Sequence, residues 1–61
     1  MDDWWYTIKY YLETGYVTTI WSRIEYEASG QAWDTETAFN YDEAHCRGYD
    51  YCLVMSMMER S

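Results

Sequence analysis

Hydrophobic and polar positions alternate over ten residues near the start of the chain, WWYTIKYYLE at positions 4–13. One face of this segment holds only apolar or aromatic side chains: Trp4, Tyr6, Ile8, Tyr10 and Leu12. The other face mixes Trp5 and Tyr11 with Thr7 and Lys9. A period of two in aromatic and β-branched residues, without Gly or Pro, predicts a β-strand. We expect this strand to lie at the centre of a small sheet.

A second alternating segment, Tyr16 to Ala28, follows Gly15, which can adopt the positive φ of a tight hairpin. The short connection predicts that the two strands pair as an antiparallel hairpin. Ile20, Ile24 and Tyr26 would share the covered face of the second strand. The opposite, outward face would hold Val17, Thr19, Trp21, Arg23, Glu25 and Glu27.

The pattern then changes to a helical period in the segment DTETAFNYDEAHCR at positions 34–47. Asp34 or Thr35 would cap the first turn, and Gly48 would end the helix. Thr37, Ala38, Tyr41, Ala44 and His45 would form the inner stripe, and Glu36, Asn40, Glu43 and Arg47 the outer one. Phe39 would lie near the outer flank.

A third strand is predicted at Tyr49 to Met58, YDYCLVMSMM, where aromatic and apolar residues again alternate. A right-handed crossover through the helix would make this strand pair with the first one. The predicted fold class is therefore α+β, a single domain over 1–61 with the element order ββαβ. Its three-stranded antiparallel sheet would have the order 2-1-3, with one helix on one face.

The composition favours a folded binding protein. A chain of 61 residues buries a thin core, but 49% hydrophobic and 21% aromatic content contradicts disorder. A deep catalytic cleft would need more chain, whereas a flat recognition surface would not. We therefore expect no enzymatic activity.

The charge balance indicates a basic partner. Eleven acidic and four basic residues give a net charge of -7, which opposes direct binding to nucleic acid or to an anionic membrane. The carboxylates are spread along the chain and could resemble a row of phosphates. Such a surface would suit the basic, nucleic-acid-binding channel of a DNA- or RNA-handling enzyme.

Three side chains are candidates for metal binding or nucleophilic chemistry: His45, Cys46 and Cys52. Their spacing fits no zinc finger, and no fourth ligand is evident. We therefore expect no metal and no cofactor. The two cysteines are expected as free thiols, with a Cys46 to Cys52 disulfide as the alternative. A catalytic pair of a Cys nucleophile and a His base is not expected, because the sequence has no strained turn that would present the nucleophile. His45 is more simply a core histidine.

Two carboxylates, Glu25 and Glu27, would lie on one strand face about 6.6 to 6.8 Å apart. Such a spacing is found in glycosidase pairs, but no pocket is predicted to raise the pKa of either. No basic leader with an apolar segment begins the sequence, and no apolar run of membrane-spanning length occurs. These features predict a cytoplasmic location.

Exposed aromatic and acidic residues are the candidate partner-binding residues. Trp and Tyr are the usual anchors of protein interfaces. The predicted set is Trp5, Tyr11, Trp21, Glu25, Glu27, Trp33, Glu36, Phe39 and Glu43. The alternative is that the aromatic sheet face closes a homodimer, as in a self-assembling structural module, or holds a small ligand.

The predicted order of strand, hairpin, strand, helix and strand, with DTETAFNYDEA leading into GYDYCLV, resembles the small bacteriophage proteins that disable host machinery. In layout the chain is similar to the phage inhibitors of bacterial RNA polymerase, and this likeness covers most of the chain as architecture. The resemblance implies an inhibitor that binds a host protein, acts by occlusion and is located in the cytoplasm of the host cell. The sequence leaves open whether the target is a defence system, a polymerase or a repair enzyme.

Overall fold

A computed structural model describes residues 3–60, with the backbone alone at residue 60. The elements in chain order are β1 (Trp4–Tyr11), β2 (Gly15–Ser22), α1 (Arg23–Ser29), β3 (Asp34–Ala38) and α2 (Tyr41–Arg60). The predicted α+β class and the three-stranded antiparallel sheet are confirmed. The elements after β2 differ from the prediction.

The hairpin at the start of the chain is as predicted. β1 and β2 pair antiparallel, with Trp5 opposite Trp21 and Thr7 opposite Thr19. Gly15 has a φ of 83°, in the left-handed region where a side chain would be strained.

The second strand was predicted to continue to Ala28, which is wrong, because the chain turns into α1 at Arg23. An ion pair between Arg23 and Glu27, at 3.5 Å, joins positions one helical turn apart. Gly30 ends the helix in a left-handed conformation with φ 74°, and its N–H donates to the Tyr26 carbonyl. The Gly30 nitrogen and the Tyr26 carbonyl oxygen lie 2.8 Å apart.

The helix predicted at positions 34–47 is wrong in its first part, which is the strand β3, whereas residues 41–47 are helical as predicted and belong to α2. Thr35 and Thr37 favour a strand through their branched side chains. The true start of α2 is set by Asn40, whose Oδ1 accepts a hydrogen bond from the Glu43 N–H at 2.8 Å. Asn40 therefore caps the helix in the way that was predicted for Asp34 or Thr35.

The third strand predicted at Tyr49 to Met58 lies instead within α2, and Gly48 is an interior helix residue. The side of α2 that faces the sheet is a stripe of small residues at intervals of four: Ala44, Gly48, Cys52 and Ser56. All four are buried. An interval of four places side chains on one helix face, so this stripe explains why the segment is helical.

The sheet has the order β1-β2-β3, so the predicted order 2-1-3 is wrong and β1 is an edge strand. The short helix α1 reverses the chain at the end of β2. Consequently β3 returns antiparallel beside β2, with Ile20 opposite Asp34 and Thr18 opposite Glu36. No crossover is needed, and α2 then passes back over the sheet.

The packing of α2 on the sheet depends on Gly48. A Cβ atom at this position would lie 2.4 Å from Cδ2 of Tyr6 and 2.9 Å from Cγ2 of Thr18. The Thr18 hydroxyl is buried and donates to the Ala44 carbonyl at 2.9 Å. Beside this contact the core forms from Trp4, Ile20 and Cys52.

We expect Gly48→Ala to destabilise the fold by about 1–3 kcal/mol, because the added methyl overlaps packed side chains. In an open helix interior the same change would stabilise by about 0.5–1 kcal/mol. The sign of the effect on urea unfolding therefore tests the contact. Asp50→Ala, an exposed change on the same helix, should stay within about 0.5 kcal/mol.

Candidate binding face

The helix α2 covers one face of the sheet and leaves the other uncovered. Residues on the covered side include Ile20 and Thr18, each with no exposed area. Because side chains alternate along a strand, the register assigns the opposite set to the other side. We call this set the open face: Trp5, Thr7, Lys9, Tyr11, Val17, Thr19, Trp21, Thr35 and Thr37.

Three rings form an aromatic cluster on the open face: Trp5, Trp21 and Tyr26. The two indoles are cross-strand neighbours that stack with centroids 6.2 Å apart and planes 10° apart. Tyr26 comes from α1, and its ring centroid lies 5.6 Å from Trp21 and 6.0 Å from Trp5. The Trp21 Nε1–H donates to the Thr7 hydroxyl at 3.0 Å. This hydrogen bond fixes the orientation of the Trp21 ring.

The cluster forms the floor of a shallow cavity of about 500 Å³ at the end of the sheet. Its lining residues are Trp5, Thr7, Trp21, Arg23, Tyr26 and Glu27. Trp5 is 36% exposed and Tyr26 is 47% exposed. Large rings held in place and still accessible to solvent are typical of interface anchors.

The charges at the rim of this cavity are partly paired. Arg23 Nε lies 2.6 Å from Asp3 Oδ1, and another nitrogen of its guanidinium lies 3.5 Å from Glu27. The hydrogen bond to Asp3 and then its charge raise the pKa of Arg23 above its usual value. Arg23 is therefore a permanent cation between two carboxylates, and the rim stays net negative.

Four of the residues predicted from the sequence lie on the open face or at the rim of its cavity, although Tyr11 is at the hairpin end, away from the aromatic cluster. Trp5, Tyr11 and Trp21 lie on the open face, and Glu27 lies at the rim of the cavity. Glu25 and Glu27 were predicted to share one strand face, which is wrong. They lie on a helix, where residues two apart differ by about 200° in direction, and Glu25 lines a different cavity.

Glu25 and Trp33 lie together on the side of the sheet covered by α2. They line a cavity of about 300 Å³ with the end of that helix. Trp33 meets Trp4 edge to face with centroids 5.3 Å apart, and it is 47% exposed. The buried Trp4 Nε1 has no hydrogen-bond acceptor among the described residues.

The last three predicted residues are also separate from the open face. Glu36 lies on β3 and lines a groove of about 380 Å³ against α2. Phe39 is 93% exposed in the connection between β3 and α2. Glu43 lies in the first turn of α2 and pairs with Arg47 at 2.9 Å.

Tyr26 is the site residue that the sequence analysis missed, since it was placed on the covered face of a longer strand. A signal for the helix was present. Ser22 followed three residues later by Glu25 has the spacing of a capping box, although the Ser22 side chain makes no capping hydrogen bond in the structure. Gly30 marks the end of the helix.

The candidate nucleophile and metal ligands, His45, Cys46 and Cys52, all lie on α2. Within residues 3–60, no group of three or more His, Cys, Asp or Glu side chains is placed to hold a metal ion. His45 was predicted on the inner stripe, but it is exposed and its Nδ1 lies 2.5 Å from the Tyr6 hydroxyl. Both cysteines are free, and burial raises the pKa of the Cys52 thiol.

These features define a small α+β protein whose three-stranded antiparallel sheet is covered on one face by a C-terminal helix. No family model, curated protein or solved structure matches the chain. In the described part of the chain, none of the helices is long and apolar enough to cross a membrane.

Alkaline pH should destabilise the fold through two partly buried tyrosines. Burial is the main cause that raises the pKa of Tyr6 and of Tyr51 above 10.0, and the Tyr51 hydroxyl also donates to Asp34 at 3.1 Å. A pKa raised by folding contributes stability below the pKa of the unfolded chain. We expect this stability to be lost as the pH rises through the raised values.

Urea unfolding between pH 8 and 11 measures this loss. Tyr51→Phe should flatten the pH dependence, because the variant has no phenol to ionise at that position. Tyr11→Phe, on the open face, is the matched control. If the free energy of unfolding fell equally steeply with pH in the Tyr51→Phe variant and in the wild-type protein, the role given to Tyr51 would be contradicted.

Proposed function

We propose that this protein is a non-enzymatic inhibitor that binds a basic surface of another protein through its open face and blocks that surface by occlusion. The observation that carries the proposal is the aromatic cluster of Trp5, Trp21 and Tyr26, which is fixed in orientation and left uncovered by α2. The phage origin and the host target suggested by the resemblance belong to this proposal.

The open face has the anatomy of a protein interface. Its strand positions carry no carboxylate, and Lys9 is the one ionic side chain among them. Acidic groups lie around it instead, with Asp3 and Glu27 beside the cavity. An apolar centre that excludes water and a charged rim that selects the partner are common features of binding interfaces.

The charge distribution favours a basic partner. Two of the four basic residues, Arg23 and Arg47, already pair with carboxylates of the same chain, so they offer little to an acidic partner. The net charge of -7 therefore remains to steer a cationic surface toward the protein. Basic surfaces that bind nucleic acid are the natural class of target, and carboxylates would take the places of phosphates.

Affinity capture tests this function. The immobilised protein is incubated with bacterial lysate, and retained proteins are quantified by mass spectrometry at low and high salt. We expect a basic nucleic-acid-binding protein to be retained and to be released as salt rises, because screening weakens the charge attraction. Labelled duplex DNA should compete with the inhibitor for that partner.

Two variants test whether retention of the partner depends on the open face. Trp21→Ala removes half of the stacked pair and should weaken retention by about tenfold or more, the usual loss at an anchor residue. Tyr49→Ala removes an exposed ring from α2, outside the open face, and should retain the partner. Circular dichroism must show that both variants fold. Equal retention by Trp21→Ala, no retained protein, or an acidic partner would contradict the proposal.

The second candidate function is self-assembly through the same aromatic face. It is favoured by the absence of carboxylates from the strand positions of the open face, since two copies could meet there without direct acidic repulsion. Sedimentation separates the candidates. A dimer that dissociates on Trp21→Ala supports assembly through the face, and a dimer unaffected by that change excludes it.

A further inference from the structure

The outer edge of β1 presents unpaired backbone groups. Among residues 3–60, β1 pairs with β2 alone. The Arg23 N–H donates to the Asp3 carbonyl at 2.8 Å, which identifies residues 3 and 23 as a hydrogen-bonded pair. Because such pairs alternate along an antiparallel ladder, odd residues of β1 bond to β2. The backbone N–H and C=O groups of Trp4, Tyr6, Ile8 and Tyr10 therefore point away from the sheet.

Apart from one charged residue, this edge lacks the features by which sheet edges are usually protected. β1 is eight residues long and contains no proline and no glycine. Its residues pair with β2 one to one from Trp4 to Tyr11, so no bulge interrupts the strand. Its one charged residue is Lys9. A long, regular and apolar edge is a template for another strand.

We propose that two copies of this chain associate through antiparallel pairing of their β1 edges, which joins their sheets into one continuous sheet. This surface is distinct from the open face, and the proposal does not depend on the proposed function. The occupant is a second copy because β1 is complementary to itself in both backbone and side chains.

One register uses all of the outward backbone groups. With the twofold axis at Thr7, Trp4 lies opposite Tyr10 of the second copy, and Tyr6 lies opposite its Ile8. The pairing forms about eight hydrogen bonds between the copies. On the open face, Thr7 meets Thr7 of the second copy and Trp5 meets its Lys9, which allows a cation–π contact. In this register no two residues of like charge lie opposite each other on the paired β1 strands.

The charge of the chain opposes association but does not act at the edge itself. β1 contains no carboxylate, so repulsion between two copies of charge -7 acts over longer distances and is screened by salt. The dimer should therefore tighten as salt rises. Binding to a basic partner has the opposite salt dependence, so the two kinds of association can be told apart.

Sedimentation of the purified protein at several concentrations in 50 and 500 mM salt is the first test. Tyr10→Pro removes one outward N–H per copy without removing a bond to β2, and proline is tolerated on an edge strand. We expect it to weaken the dimer by about tenfold or more. Tyr10→Ala removes the same ring and its contact with Tyr16 but keeps the N–H. It should stay dimeric.

A crosslink tests the register independently of the proline variant. In the proposed dimer the two Thr7 residues form a non-hydrogen-bonded pair, whose Cα atoms lie about 4.5 Å apart, within reach of a disulfide. In a Cys46→Ser background, which removes the exposed native thiol, Thr7→Cys should form a covalent dimer on mild oxidation. Lys9→Cys should not crosslink, because in this register each Lys9 lies opposite Trp5 of the other copy and the two Lys9 residues are far apart.

A monomer at all concentrations and salts, together with no crosslink from Thr7→Cys, would overturn the proposal. So would a dimer that is unaffected by Tyr10→Pro but dissociated by Trp21→Ala, because the open face would then be the interface. If Tyr10→Pro fails to fold, the two cysteine variants decide the matter.

Discussion

The close approach of α2 to the sheet at Gly48 is the constraint on which the rest of the structure depends. Hydrogen at this position leaves room for the Tyr6 ring and the Thr18 methyl, and the approach lets Thr18 bond to the Ala44 carbonyl. A single helix then covers Trp4 and Ile20 and contributes its own buried Cys52 to the core. In a chain of 61 residues, one such contact surface provides most of the available core.

Covering one side tightly leaves the other side uncovered, and this asymmetry defines the candidate site. Residues 3–60 contain no second long helix that could cover the open face. The short helix α1 instead closes one end of the sheet and places Tyr26 against Trp5 and Trp21. The fold therefore does not bury these rings but fixes them, with the Thr7 hydroxyl holding the Trp21 indole. Rigid, exposed rings lose little conformational entropy when they bind.

The sequence predicted the hairpin and the open aromatic face correctly because alternation in β1 and β2 is a local signal. It failed in the second half of the chain because local alternation there competes with tertiary packing. Tyr51, Leu53 and Met55 alternate as in a strand, yet the small residues Ala44, Gly48 and Cys52 recur every four positions and tertiary packing selects the helix. The predicted strand order 2-1-3 was wrong for the same reason, since the third strand is Asp34–Ala38 and not Tyr49 to Met58.

Alternation in β1 also separates the two proposed modes of association. Odd residues turn their side chains to the open face and their backbone groups to β2, whereas even residues turn their side chains beneath α2 and their backbone groups to the free edge. A partner on the face and a second copy at the edge would therefore use different atoms of one strand. Because Trp5 lies on this strand, edge pairing would place the aromatic clusters of two copies on one continuous face. Such a face would present two sets of anchors to an extended basic surface, and two linked contacts raise affinity without any new chemistry.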